Sequence, residues 1–492
     1  MTSPDLLLTK GQAKITVSSD QAVVAWRAVD AQGRTAASGT APVSGGSAAI
    51  GLGGLGPGYY TLTASAGGTT RTAGFGVLTA LTGDEHKDRR FNANLHFGWS
   101  NGDDAKLLRS MALIGMGGVR TDANWAAIEK TPGAYSWGGY PIDTYIPYAA
   151  SQGLTTLPVA GYRNPNYDRD KTPSSPAGLA AFGKFQAALV QKYQRYSKEV
   201  EVYNEFNSTG FNKGACGITA DCYLDMLRAT YGKVHAKVPD AQVVGGALAG
   251  LRGDWLKRLY ALGGLKYLDV VSVHQYGFPK PPEQALAALP QLREDLDAAG
   301  GRRKPLWMTE NGYPTFPGGV SPAAQAVYLP RAQLFSFASG VARYYWYDVT
   351  DDGTDPKNKE HNFGAFKRPT AAVKAWQPKP AVVTEGVLVR QLAGRAFAGR
   401  DGAGAADVHS YRFGSGANTV RTLWTTGSAP RTVTLTTARP LTVTDQWGHT
   451  KSYAPTGGVV RLAVDGSVQY VRGPVTGVEA AGGGAGPVGE GR

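Results

Sequence analysis

Residues 200–207 read "VEVYNEFN", a β-favouring apolar run that carries Glu201 inside it and ends on Asn204 and Glu205. Buried carboxylates are costly unless they are paired, so a strand with two of them needs either a cation or a chemical use. The flanking sequence decides which fold holds it. Short apolar runs recur through the middle of the chain: "FNANLHF" (91–97), "GGVRTD" (117–122), "TTLPVA" (155–160), "QVVGGAL" (242–248), "LDVVSVHQY" (268–276), "PLWMTENGY" (305–313) and "ARYYWYDV" (342–349). Longer stretches with helix signals separate them. "DDAKLLRSMALIG" opens on Asp103 and Asp104 and closes at Gly115, and "SPAGLAAFGKFQAALVQKYQRY" starts with Ser175 and Pro176. Eight strands alternating with helices predict an α/β protein with a closed (β/α)8 barrel, the TIM barrel.

At 492 residues the chain exceeds one ordinary core. Residues 11–78 alternate "KITVSS", "AVVAWRAVD", "GYYTLTAS" and "TRTAGFGVL" with Gly, Ser and Pro breaks, and residues 379–473 do the same with "VHSYRF", "RTVTLTT" and "GVVRLAV". The expected division is an N-terminal Ig-like β-sandwich (1–81), the barrel (82–377), a C-terminal β-sandwich (378–474) and a small, polar, flexible tail (475–492).

Hydrophobic residues make up 42% and charged residues 18%, which is globular composition. No apolar run approaches the roughly 20 residues of a membrane helix, so no membrane span is expected. The start, "MTSPDLLLTK", lacks the charged flank and apolar core of a signal peptide; either export is absent or its signal is missing from this chain. The net charge of +13 is diffuse: residues 378–492 hold 12 Lys and Arg against 7 Asp and Glu, residues 1–81 hold 5 against 3, and the remainder lies between them. No basic stripe interleaved with aromatics marks a nucleic-acid binder. A solvated basic surface and an anionic polysaccharide partner both fit. The two cysteines, Cys216 and Cys222 in "GACGITADCY", can close a short loop by a disulfide in an exported protein, whereas a metal site would need further ligands nearby, and none is present.

Catalytic groups of such barrels project from the C-terminal ends of strands. Glu205 and Asn204 end the fourth run and Glu310 the seventh; Arg120 lies on the second, His274 and Tyr276 on the sixth, and Trp346 on the eighth. Either acid alone reads as an ordinary solvent-facing strand end. Two carboxylates on one rim point to glycoside hydrolysis, which needs one group to protonate the leaving oxygen and another at the anomeric carbon.

The ordered segments "GGVRTDANWAAIEKTPGAYSW", "VEVYNEFN", "DVVSVHQYG" and "YYWYDVTDDGT...HNFGAF" resemble the barrel of the clan A glycoside hydrolases, over about residues 91–377. Within that clan the layout is most similar to family 39 and its exopolysaccharide-cleaving relatives. Tyr203 stands where such strands usually have Trp, and Phe206 where they usually have Pro, so the floor of the sugar site is expected to differ. "TENG" around Glu310 resembles family 1 β-glucosidases, whose acid/base segment and wider carboxylate spacing are not matched.

The resemblance implies a retaining hydrolase of β-glycosidic bonds in a polysaccharide or oligosaccharide, with endo action on an exopolysaccharide as one form. An exo-β-glycosidase such as a β-xylosidase is an alternative. So is a non-catalytic carbohydrate-binding surface protein. By the same resemblance Glu310 is the nucleophile and Glu205 the general acid, then base, with carboxyls about 5 to 5.5 Å apart. Arg120 and Tyr276 would hold the charge of Glu310, which in turn raises the pKa of Glu205. Asn204 would reach the sugar 2-hydroxyl. His274 would support the site or touch sugar, beside the reading of a satisfied core histidine. Glu201, four residues deeper than Glu205, is assigned a structural role paired to a cation. Trp99, Trp125, Tyr162, Phe211, Tyr313 and Trp346 are candidate sugar platforms, and His96 on the first strand is placed facing the site. "DDGTD" (351–355) is read as a polar turn rather than a calcium loop. No cofactor or metal is expected. A monomer is expected, outside the cell or in its envelope, with the cytoplasm as the alternative.

Overall fold

The eight runs form eight parallel strands: β1 (Phe91–Asn94), β2 (Gly118–Asn124), β3 (Thr155–Gly161), β4 (Glu199–Val202), β5 (Gln242–Leu248), β6 (Val270–His274), β7 (Leu306–Asn311) and β8 (Val341–Trp346). They pair in chain order, and β8 returns to β1 to close the barrel. The computed structural model describes residues 1–3, 5–83 and 85–481. The chain divides into two compact units, Leu81–Val382 around the barrel and a second made of Met1–Ala80 with the chain from Val383 onward.

Local chemistry accounts for the helices between the strands. Helix Asp104–Ile114 stops at Gly115, whose φ of 101° a side chain would strain. Helix Pro176–Tyr193 begins with Pro at its first position, and the Ser175 hydroxyl accepts from the Gly178 N–H at 3.1 Å. This helix packs against Ala220–Lys237 through Gly183, where a β-carbon would sit 2.1 Å from the Ala229 carbonyl oxygen. Only glycine permits that approach. The strands are buried almost throughout, as a parallel sheet covered on its outer face requires.

β4 leaves the ladder at Val202, well before the expected 207. Tyr203 and Glu205 both have left-handed backbone, with φ of 69° and 47°. Such residues cost roughly 1–3 kcal/mol each and persist only where the surroundings impose them. Strict alternation would put Asn204 and Glu205 on opposite faces. The two left-handed residues instead let both reach the same cleft.

In the second unit, residues before Ala80 form a seven-stranded sheet in which Gly58–Ala66 alternates buried and half-buried residues. Beyond Val383 lie sheets of six and three strands. The two β regions, expected as separate sandwiches over 1–81 and 378–474, fall within this one compact unit. Two local expectations change. Pro380–Leu392 is a helix, not part of a strand series; residues 381–389 are buried all round, and tertiary burial outweighs the strand preference of its valines. Within the expected tail, Gly477–Ala480 pairs antiparallel with Arg431–Thr436, and residues 482–492 lie outside the described residues. No helix among the described residues is long and apolar enough to cross a membrane.

Candidate active site

Arg120, on β2 and 4% exposed, organises the floor of the C-terminal rim. Its Nε donates to Glu201 at 2.6 Å, one terminal nitrogen to Glu310 at 2.7 Å and Asn94 at 3.0 Å, and the other to Asn204 at 2.7 Å. Glu201 therefore has its cation, as its depth in the strand suggested. Burial disfavours the guanidinium charge, but Glu201 and then Glu310 outweigh it and hold the group firmly protonated. Breaking a buried pair of this kind costs about 3–5 kcal/mol, because it strands a charge.

Glu310, at the end of β7, has both oxygens engaged: Arg120 on one and the Tyr276 hydroxyl at 2.7 Å on the other. Burial, followed by the charge of Glu310, pushes the Tyr276 phenol well above its ordinary value, so it stays a neutral donor. Glu205 and Glu310 meet across His274. The His274 Nδ1 lies 3.1 Å from Glu205 and 3.5 Å from Glu310, and Nε2 lies 3.1 Å from the Thr309 hydroxyl. His274 is fully buried, so it bridges the acids and does not line the cleft. One oxygen of Glu205, one of Glu310 and a ring nitrogen of His274 all lie within 4.8 Å of one another. These ligand atoms are close enough to hold a metal ion, but Arg120 and Tyr276 already occupy the oxygens of Glu310. Asn204 spends its carbonyl oxygen on Arg120 and keeps its amide N–H groups for the cleft.

The acids open into a cleft of about 730 Å³ whose wall includes Trp99, Tyr162, Phe211, Tyr276 and Tyr347. Trp99, 57% exposed, stacks on His96 at 4.8 Å, and Phe211, 40% exposed, stacks on Tyr162 at 5.5 Å. His96 Nδ1 lies 2.6 Å from Asp122, which also accepts from the Tyr162 hydroxyl at 2.9 Å. Burial lowers the His96 imidazolium, but Asp122, with Asp348 and Asp352 beyond it, outweighs this and raises it to about 9. Asp122 is held low: burial opposes its charge and His96 overcomes that. Asp348 is pushed well above the carboxylate range by burial and by Asp352.

A raised histidine contributes stability that is complete below its ordinary 6.5 and is lost as pH rises through about 9. The lowered Asp122 contributes above its ordinary 3.8 and loses that contribution in acid. The melting temperature gap between the parent protein and His96→Gln is therefore expected to be widest in mildly acidic solution, between pH 3.8 and 6.5, and to narrow between pH 6.5 and 9. Thermal melts across that range check this, and a constant gap would refute the charged pair.

Several sequence candidates do not reach the cleft. Trp346 is 1% exposed; side chains alternate along β8, so the next residue, Tyr347, takes the cleft position. Trp125, also buried, donates its indole N–H to Glu129 and stacks on Tyr167. Tyr313 packs edge-on against Tyr328. Tyr203 and Phe206 lie behind the site, with the Tyr203 hydroxyl on Thr172 at 2.7 Å, so the departures noted in "VEVYNEFN" do not floor the cleft. Asp122 was missed although it follows Arg120 by two positions and so shares its face. Asp352, Lys359, Glu360, His361 and Phe363 also line the cleft from the long segment after β8. Within it, Asp351 of "DDGTD" pairs with buried Lys379 at 2.6 Å. Cys216 and Cys222 are joined as a disulfide.

No family model matches the chain, and no curated protein matches its sequence. In three dimensions its neighbours are glycoside hydrolases of clan A, families 39 and 30, and the chain has their fold. A family 39 glycoside hydrolase from the gut symbiont Bacteroides cellulosilyticus WH2 aligns with a TM-score of 0.81 at 22% identity, over 96% of this chain and 99% of that one. The catalytic domain of a family 30 xylanase C from Talaromyces cellulolyticus aligns at 0.57 and 13% identity, over 81% and 98%. A monomeric β-xylosidase from Caulobacter crescentus CB15 aligns at 0.53 and 15% identity, over 80% and 97%.

Proposed function

We propose that this chain is a retaining glycoside hydrolase that cleaves β-glycosidic bonds by double displacement. The observation that carries the reading is the facing pair Glu205 and Glu310, close enough for attack and proton transfer at one anomeric carbon and differently supported. An inverting mechanism would need a wider gap, roughly 6.5–9.5 Å, to seat a water. Glu310, held by Arg120 and Tyr276, attacks the anomeric carbon and forms a glycosyl ester while Glu205 protonates the leaving oxygen. Glu205 then takes a proton from the water that hydrolyses the ester. The Asn204 amide is placed to donate to the sugar 2-hydroxyl, a bond that strengthens in the transition state. A platform that only bound carbohydrate would have no need for a buried arginine and tyrosine trained on one carboxylate.

The basic excess of the chain does not gather here. Asp122, Glu310, Asp352 and Glu360 line the cleft beside Arg120, Lys359 and the His96 imidazolium, so we read the bound ring as a neutral sugar rather than a uronate. The Cys216–Cys222 disulfide supports a compartment outside the reducing cytosol. A panel of neutral and uronic-acid aryl β-glycosides, followed by proton NMR, tests the reading. The first product is expected to keep the β configuration, with neutral glycosides turned over faster. A first product of α configuration would refute the mechanism.

A further inference from the structure

A second groove, of about 950 Å³, lies on the same rim between the segments that follow β4 and β5. One loop separates it from the catalytic cleft: Glu205 and Phe211 line the cleft, and Asn207, Ser208 and Thr209 between them line the groove. Asn207 pins the two segments together, its amide donating to the Ala249 carbonyl at 3.2 Å and its oxygen accepting from the Ala249 N–H at 2.9 Å. Trp255 forms part of the groove wall. Its indole N–H donates to the Ile218 carbonyl at 2.9 Å, and its ring leans on Tyr223 at 5.6 Å, so its orientation is fixed. Leu251 and Ile218, the latter 36% exposed, add apolar surface, and Arg252 and the Arg258–Asp221 pair add hydrogen-bonding groups. A ring with C–H faces and hydroxyl edges matches such a surface.

In-line displacement fixes what belongs there. Glu310 attacks from one side of the anomeric carbon, so the leaving oxygen departs on the opposite side, beside Glu205. The segment attached to that oxygen continues outward past Glu205, toward the loops after β4 and β5. We propose that this groove binds the sugar units on the leaving side of the scissile bond, with Trp255 as their stacking platform, so that the natural substrate is an oligosaccharide or polymer. The inference rests on the glycosidase reading above.

The experiment compares β-linked oligosaccharides with p-nitrophenyl β-glycosides of the same non-reducing sugar. Trp255→Ala is expected to lower kcat/KM about tenfold on the oligosaccharides and to leave the aryl glycoside within about twofold, because the small phenol does not reach the platform. Thr209→Trp, at an exposed position where folding tolerates bulk, should obstruct the groove and give the same split. Equal losses on both substrates, or none on the oligosaccharides for folded Thr209→Trp, would overturn the inference alone. Absence of turnover of every glycoside by the parent protein would instead overturn the reading beneath it.

Discussion

Glu310→Ala is expected to lower kcat by roughly 10⁴-fold or more on every β-glycoside, the scale on which loss of a covalent nucleophile is felt when its partners remain. The fold should survive the change, because Arg120 keeps Glu201, Asn94 and Asn204 as partners. The removed carboxylate leaves a space facing the anomeric carbon, and a small anion such as azide can enter it. Attack from that side inverts the centre, so added azide should restore turnover and yield an α-glycosyl azide. Product NMR checks the outcome. A β-azide would move the nucleophile's role to Glu205, and undiminished activity would remove Glu310 from the chemistry.

The barrel was legible because its periodicity is carried by many residues: each of the eight runs is matched by a strand, most within a few positions. The candidate pair Glu205 and Glu310 stood out for a different reason. Either carboxylate alone reads as a solvent-facing strand end, but two of them at the ends of the fourth and seventh runs fall on one rim, and Glu201, placed deeper, called for a cation that proved to be Arg120. Less legible was anything that depends on which way one side chain turns. Trp346 and Tyr347 are adjacent, and only the register of β8 decides that the tyrosine lines the cleft. Asp122 could have been found by counting two from Arg120. The left-handed backbone at Tyr203 and Glu205 could not, since neither residue type favours it and the surrounding fold imposes it. The second groove joins segments some 40 positions apart, Asn207 with Ala249, which no local pattern reveals.

Glu205→Ala should behave differently from the nucleophile variant, and the difference assigns the roles. Protonation matters in proportion to how poorly the leaving group carries negative charge, and general acid catalysis is worth roughly 10²–10⁴-fold. Turnover of unactivated alkyl or sugar leaving groups should therefore fall by about that factor. A dinitrophenyl glycoside departs without a proton, so its first step should persist and the glycosyl ester on Glu310 should accumulate, because no base remains to activate water. A burst of dinitrophenol followed by a slow steady rate is the expected trace. Azide needs no base and attacks the ester from the side Glu205 vacated, which restores the rate and gives a β-glycosyl azide. His274 stays buried against Thr309 and 3.5 Å from Glu310, so the nucleophile should keep its setting in this variant. The decisive measurement is the dependence of kcat/KM on leaving-group pKa. It should steepen sharply in Glu205→Ala, and an unchanged slope would show that the proton comes from elsewhere.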